Sequence, residues 1–269
     1  MAFVDERLEG ESVAATLFPS TRMPRYVMLN NVAHKDLRVI TRYGAEFGDN
    51  TGTVLTFPTE FAAIEKEYPI FFRRDRDTGE YHAVALLGFD KNENLFLENG
   101  RWNAAYLPAV IARGPFLIGF QEQQGGGEIR SEQVVHVDLD HPRVNQVEGE
   151  PVFLTHGGNS PYLNHVTAVL RDIRDGLEIG KAMFGAFAAA DLIEPVNVEI
   201  KLNEEEAYGL TGLHTISPQK LGALDAGSLY KLNREGFLQL AFLIVASHSN
   251  VRKLMALKQR RRQAPALSQ

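Results

Sequence analysis

One feature constrains the fold of this chain more than any other: the hydrophobic period changes at Gly157-Gly158-Asn159-Ser160-Pro161. Before that point, apolar residues fall in short runs separated by turn clusters. After it, Leu163, Val166, Leu170, Ile173, Leu177 and Phe184 recur at helical spacing. A strand repeats its faces every second residue and a helix every 3.6, so the two halves need different elements. The expected class is α+β, an antiparallel β-rich N-terminal half packed with a helix-rich C-terminal half. The expected division is an extended arm at 1–24, a β-rich subdomain at 25–157, a helical subdomain with a short hairpin at 158–262, and a disordered tail at 263–269.

Turn residues punctuate the first half. Arg25 to Leu29 and Leu37 to Tyr43 read as strands. Thr56 or Thr59 can cap a short helix that buries Phe57, Phe61, Ile64 and Tyr68, and Pro69 stops it. Ile70 to Arg74, Tyr81 to Phe89 and Leu95 to Leu97 then read as a three-stranded meander. Its turns are Asp77-Thr78-Gly79 and Asp90 to Glu93, and Asn99-Gly100 turns the chain into Trp102. Leu117 to Glu122 and Val134 to Leu139 are further strands.

In the second half, Ser160 before Pro161 is a helix start, and Pro195 is the expected stop. The helix has possible bend points at Gly176, Gly180 and Gly185. Val196, Val198, Ile200 and Leu202 alternate with polar residues as a half-buried strand, with Leu213 to Ile216 as its hairpin partner. Helices follow over Pro218 to Leu224, Ser228 to Ser247 and Asn250 to Arg262.

Composition excludes several functions. There is no cysteine, which removes disulfides, thiolate nucleophiles and cysteine-ligated metals. A net charge of −6 is opposite to a nucleic-acid footprint. The basic stretch Lys258 to Arg262 reads as a solvated helix end. Met1 to Glu6 has no apolar core for a signal peptide, and the longest apolar run, Leu240 to Ala246, is far short of the roughly 20 residues of a membrane span. A soluble cytoplasmic protein without membrane insertion is expected; location at the cell surface would need export without a signal. No phosphate-binding glycine motif occurs, so no cofactor is expected. His156-Gly157-Gly158 suits an esterase oxyanion loop, but the partner Gly-x-Ser-x-Gly is absent.

Two residue sets could carry chemistry. Trp102, Tyr106, Phe96 and Arg101 could form an aromatic face for a peptide or saccharide, although aromatics at strand positions more often serve the core. His136 and Asp138 lie two apart on a strand, so both face one side with Asp140. With a distant histidine they would make a two-histidine, one-carboxylate metal site for an oxygenase or hydrolase. The competing reading is a half-exposed strand with polar residues facing water. Leu238, Phe242, Val245 and Leu254 serve either a core or a homo-oligomer interface.

The segment from Phe57 to Phe116 also carries a likeness. Glu60-Phe61, Tyr68-Pro69-Ile70, Asn94-Leu95-Phe96, Trp102, Tyr106-x-Pro108 and Pro115-Phe116 resemble the SapC-like bacterial family. Gly212-Leu213-x-x-Ile216, Leu221, Leu224, Gly236-Phe237 and Ser249 extend the likeness from about Arg25 to Leu257. The family name implies a surface-layer role for at least one branch. Relatives near genes for TonB-dependent receptors imply an accessory role in using an imported nutrient. A peptide-transport permease shares the short name but would need membrane spans. The resemblance assigns no catalytic residues. The expected function is a soluble accessory protein, with no evident reaction, that binds a protein partner or a peptide or saccharide ligand.

Overall fold

The computed structural model describes residues 25–125, 128–201 and 207–263. The arm expected over 1–24 lies outside the described residues, as do residues 264–269 of the expected tail.

The first half is built from short strands, as its turn spacing requires. β1 (Tyr26–Met28), β2 (Arg38–Val39) and β3 (Thr53–Leu55) lead to the short helix α1 (Phe61–Ile64). The hairpin β4 (Ile70–Arg74) and β5 (Tyr81–Leu86) follows, then a second hairpin, β6 (Leu97–Glu98) and β7 (Arg101–Trp102). After α2 (Ala109–Ala112) come the long strands β8 (Phe116–Gly125) and β9 (Glu128–Asp138), then β10 (Val144–Asn145) and β11 (Glu150–Pro151). The second half opens with α3 (Pro161–Ala189), continues through the hairpin β12 (Ile193–Lys201) and β13 (Ala207–Ile216), and closes with α4 (Pro218–Gly222), α5 (Ala226–Arg234), α6 (Phe237–Ser247) and α7 (Val251–Gln263). The α+β class is thus observed.

The central sheet has the order β12-β13-β4-β5-β3, all neighbours antiparallel. Phe71 and Phe72 are successive in β4 and point to opposite faces. Phe72 meets Phe184 of α3 edge-on at 5.0 Å, and Phe71 stacks on His248 just past α6 at 4.9 Å. The sheet therefore lies between α3 and α6. Ser247 ties the α6 side down, its hydroxyl accepting the Ile70 N–H at 2.9 Å. A second sheet, β1-β9-β8, packs Phe116 and Val137 against Leu163, Val166 and Leu170 near the start of α3. Farther along, Ile173, Met183 and Phe187 enter the main core, so α3 belongs to both.

Several expectations are corrected. Leu95 to Leu97 is not the third strand of the meander. The Asn94 side chain takes the Phe96 N–H, and Asn99-Gly100, both at positive φ, folds Leu97–Glu98 back onto Arg101–Trp102. The vacant edge of β5 pairs with β3 instead. Pro195 does not end the long helix. Asp191 does, at φ 52°: its N–H bonds the Ala188 carbonyl and the Leu192 N–H bonds the Phe187 carbonyl. That is a Schellman stop with aspartate where glycine is usual. Pro195 sits in the edge strand β12, where a missing N–H can face away from the ladder. Leu177 is 46% exposed; Gly176 takes its place on the buried stripe. The expected helix Ser228 to Ser247 is two helices, broken at Gly236 with φ 78°.

Candidate functional site

The aromatic set is largely brought together, around a buried carboxylate. Glu60 Oε1 accepts from Thr56 Oγ1 at 2.9 Å and the Phe57 N–H at 3.2 Å; Oε2 accepts from Tyr106 Oη and the Ala109 N–H, each at 2.9 Å. Trp102 Nε1 donates to Tyr68 Oη at 2.8 Å, and that hydroxyl donates to the Tyr106 carbonyl at 2.5 Å. Phe96 is fully buried with its ring 4.6 Å from that of Tyr68. The half-buried Trp102 meets Tyr43 edge-on at 5.8 Å. Arg101 is exposed and outside this network.

Burial raises the Glu60 pKa, against four donors that lower it. Burial likewise raises both tyrosine hydroxyls, keeping them protonated as donors. Trp102 N–H and the hydroxyls of Tyr68 and Tyr106 are thus already engaged within the protein. The arrangement clamps the loop from Trp102 to Ala109 onto the segment before α1. Glu60 and Tyr68 are the members that sequence reasoning did not single out as site residues. Their signal was a carboxylate among helical apolar positions, a place where it must find donors.

His136 and Asp138 share β9 but not a ligand set. Asp138 is buried, and its Oδ1 accepts the Arg25 N–H at 3.0 Å and the Asp140 N–H at 3.1 Å. The His136 ring lies over Gly119 of the neighbouring strand, where a Cβ would sit 2.3 Å from Nδ1. That nitrogen is buried with no partner among the described residues. Among those residues, no group of three or more His, Cys, Asp or Glu side chains could hold a metal.

A different place has the shape of a binding site. Between α3 and the β4–β5 hairpin lies a groove of about 510 Å³, floored by Leu55, Phe57, Pro58, Tyr81, Ala83 and Phe184. That volume is within the range of about 300–1,000 Å³ of small-molecule sites. Three glycines set its depth. At Gly176 a Cβ would stand 2.5 Å from Phe57 Cβ and 2.7 Å from Thr59 Oγ1, so only glycine lets α3 approach. A Cβ at Gly180 would make ordinary contact with Pro58 at 3.7 Å, and one at Gly185 would meet nothing within 4 Å. Of these two positions, only Gly185 leaves open space beside the groove. All three were expected as bends; Gly176 and Gly180, about one turn apart, share the buried face of α3, while Gly185 lies about half a turn round from Gly176 and is exposed at the groove's rim.

The charged groups lining the groove are few. Arg74 Nε donates to the Gly79 carbonyl at 3.0 Å and the guanidinium lies 5.7 Å from the Tyr81 ring centre. Lys181 is exposed and makes no ion pair among the described residues. Among the described residues, Glu80 is the one acidic side chain of the lining. Tyr81 is backed by His214 at 5.1 Å, whose pKa is lowered by burial and then by Arg74, so it is neutral near pH 7. His82 also lines the groove, but it follows Tyr81 in β5 and turns its ring to the other face of the sheet.

A family model described as SapC matches residues 29–254. No curated protein and no solved structure matches the chain. Among the described residues, no helix is long and apolar enough to cross a membrane.

Proposed function

The chain belongs to the SapC family, and from that premise we propose that it is an accessory binding protein that holds a small ligand in the groove under α3. The single observation that carries this reading is the groove itself: about 510 Å³, mostly apolar, with a glycine-lined wall. In the same reading the cluster of Phe96, Trp102 and Tyr106 acts as a brace. It fixes the segment before α1, and Phe57 and Pro58 of that segment form the groove floor. The proposed ligand is a product of nutrient uptake, in keeping with the accessory role that the family likeness implies.

The test is equilibrium dialysis of the protein against a bacterial metabolite extract, read by mass spectrometry. Gly185→Leu adds a large side chain to the groove lining at an exposed helix position with no atom within 4 Å of its Cβ, so it narrows the site while leaving the core intact. Compounds enriched by the native protein and lost with Gly185→Leu support the reading. Enrichment that is unchanged by the substitution, or no enrichment at all, overturns it.

A further inference from the structure

The geometry points to a specific ligand class for the groove: a monoanion with a carboxylate on an extended apolar body. This inference rests on the groove being the ligand site. The floor and back wall are aliphatic and aromatic, Leu55, Phe57, Pro58, Ala83 and Phe184, and offer an apolar body the contacts it needs. They are poor in the side-chain donors and acceptors that a saccharide's hydroxyls require, since each buried hydroxyl left unpaired weakens binding.

Among the described residues, charged recognition is confined to Arg74, Lys181 and Glu80. Arg74 is held by its bond to the Gly79 carbonyl and by the Tyr81 ring, so its remaining donors are fixed in place before a ligand arrives. Lys181 has no protein anion as a partner among the described residues. Two cations against one carboxylate leave a single positive charge, which suits one carboxylate and disfavours a cation or a polyanion. His214 behind Tyr81 is neutral and adds no charge.

Two sources share this chemistry, a free medium-chain acid and the C-terminal carboxylate of an apolar peptide. The experiment is isothermal titration calorimetry of the full chain with decanoate, decanol and decylammonium below their aggregation concentrations. Parallel arms use N-acetyl-trileucine with a free or amidated C-terminus. Decanoate or the free-acid peptide should bind saturably, with decanol or the amidated peptide about ten-fold weaker and decylammonium weaker still. Lys181→Glu, an exposed helix substitution that leaves folding intact, should reduce binding of the anion about ten-fold and reverse the preference between anion and cation. Which of the two carboxylates binds more tightly identifies the source.

Equal binding of decanoate, decanol and decylammonium, unaffected by Lys181→Glu but lost with Gly185→Leu, overturns the carboxylate assignment and leaves the groove as the site. Binding of none of the five probes, when the dialysis of metabolite extract does yield groove-dependent ligands, also overturns the assignment. Absence of groove-dependent binding in both experiments overturns the assignment and the groove reading together.

Discussion

Replacing two glycines of one helix by alanine should change stability in opposite directions. Each substitution in α3 gains about 1 kcal/mol of helix propensity, because glycine loses more backbone entropy on folding than alanine. At Gly185 nothing opposes that gain, since no atom lies within 4 Å of the new Cβ. At Gly176 the new Cβ would stand 2.5 Å from Phe57 Cβ and 2.7 Å from Thr59 Oγ1. Neither is the free end of a flexible chain, because Thr59 Oγ1 is fixed by its bond to the Asp172 carbonyl at 2.9 Å. Forcing α3 away from residues 57–59 costs about 1–3 kcal/mol of overpacking, and losing that hydrogen bond costs about 1 kcal/mol more. The expected net effects are about 1 kcal/mol of stabilisation for Gly185→Ala and about 1–3 kcal/mol of destabilisation for Gly176→Ala. For a chain of this size they correspond to shifts in Tm of about +2–4 °C and −2 to −12 °C. Urea unfolding followed by circular dichroism at constant m-value measures both. Gly176→Ala at or above the native stability, or Gly185→Ala clearly below it, would refute the claim that one glycine is a contact and the other a vacancy.

Three further outcomes are expected. Asp191→Gly should stabilise the protein by about 0.5–1 kcal/mol in urea unfolding, because it relieves a positive φ at the Schellman position; the exposed Asp191–Lys220 pair that it removes contributes little. Glu60→Gln should destabilise by about 1–3 kcal/mol, since an amide NH₂ would face two of the four donors now bound by the carboxylate; a Tm unchanged from native would argue against the brace. Stability should fall as pH is lowered from about 6.5 to about 4, because burial, then Arg143, depresses His141 from 6.5 to about 4. The unfolded chain binds the proton first, so stability is unaffected above pH 6.5, declines through this window and levels off once the folded form is protonated as well. Burial shifts His82, His214 and His248 in the same direction. A urea midpoint that does not fall between pH 7 and 4.5 would contradict this assignment.

Much of the fold was legible because its determinants are local. The stripe of Phe57, Phe61, Ile64 and Tyr68 is buried as its spacing requires. Asp75 Oδ1 closes the turn before Gly79 by accepting the N–H groups of Asp77 and Thr78. Ser160 caps α3 by accepting the Leu163 N–H at 3.1 Å. Misreadings occurred where a side chain or a distant strand competes for the same backbone. Asn94 withdraws Phe96 from a ladder, β3 occupies the edge left open, and Asp191 stops a helix that proline was expected to end.

What the sequence by itself determined was the class of elements and the order in which they come, since hydrophobic period, turn residues and caps act within a few positions of the chain. Tertiary structure alone decided the site. Whether Trp102 offers a free face depends on Tyr68, 34 residues away, taking its N–H. Whether Gly176, Gly180 and Gly185 are bends, contacts or empty space depends on how closely residues 57–59, more than a hundred positions earlier, approach α3. The groove exists because two distant segments meet tightly at Gly176, touch at Gly180 and leave open space at Gly185, and no local pattern encodes that distance.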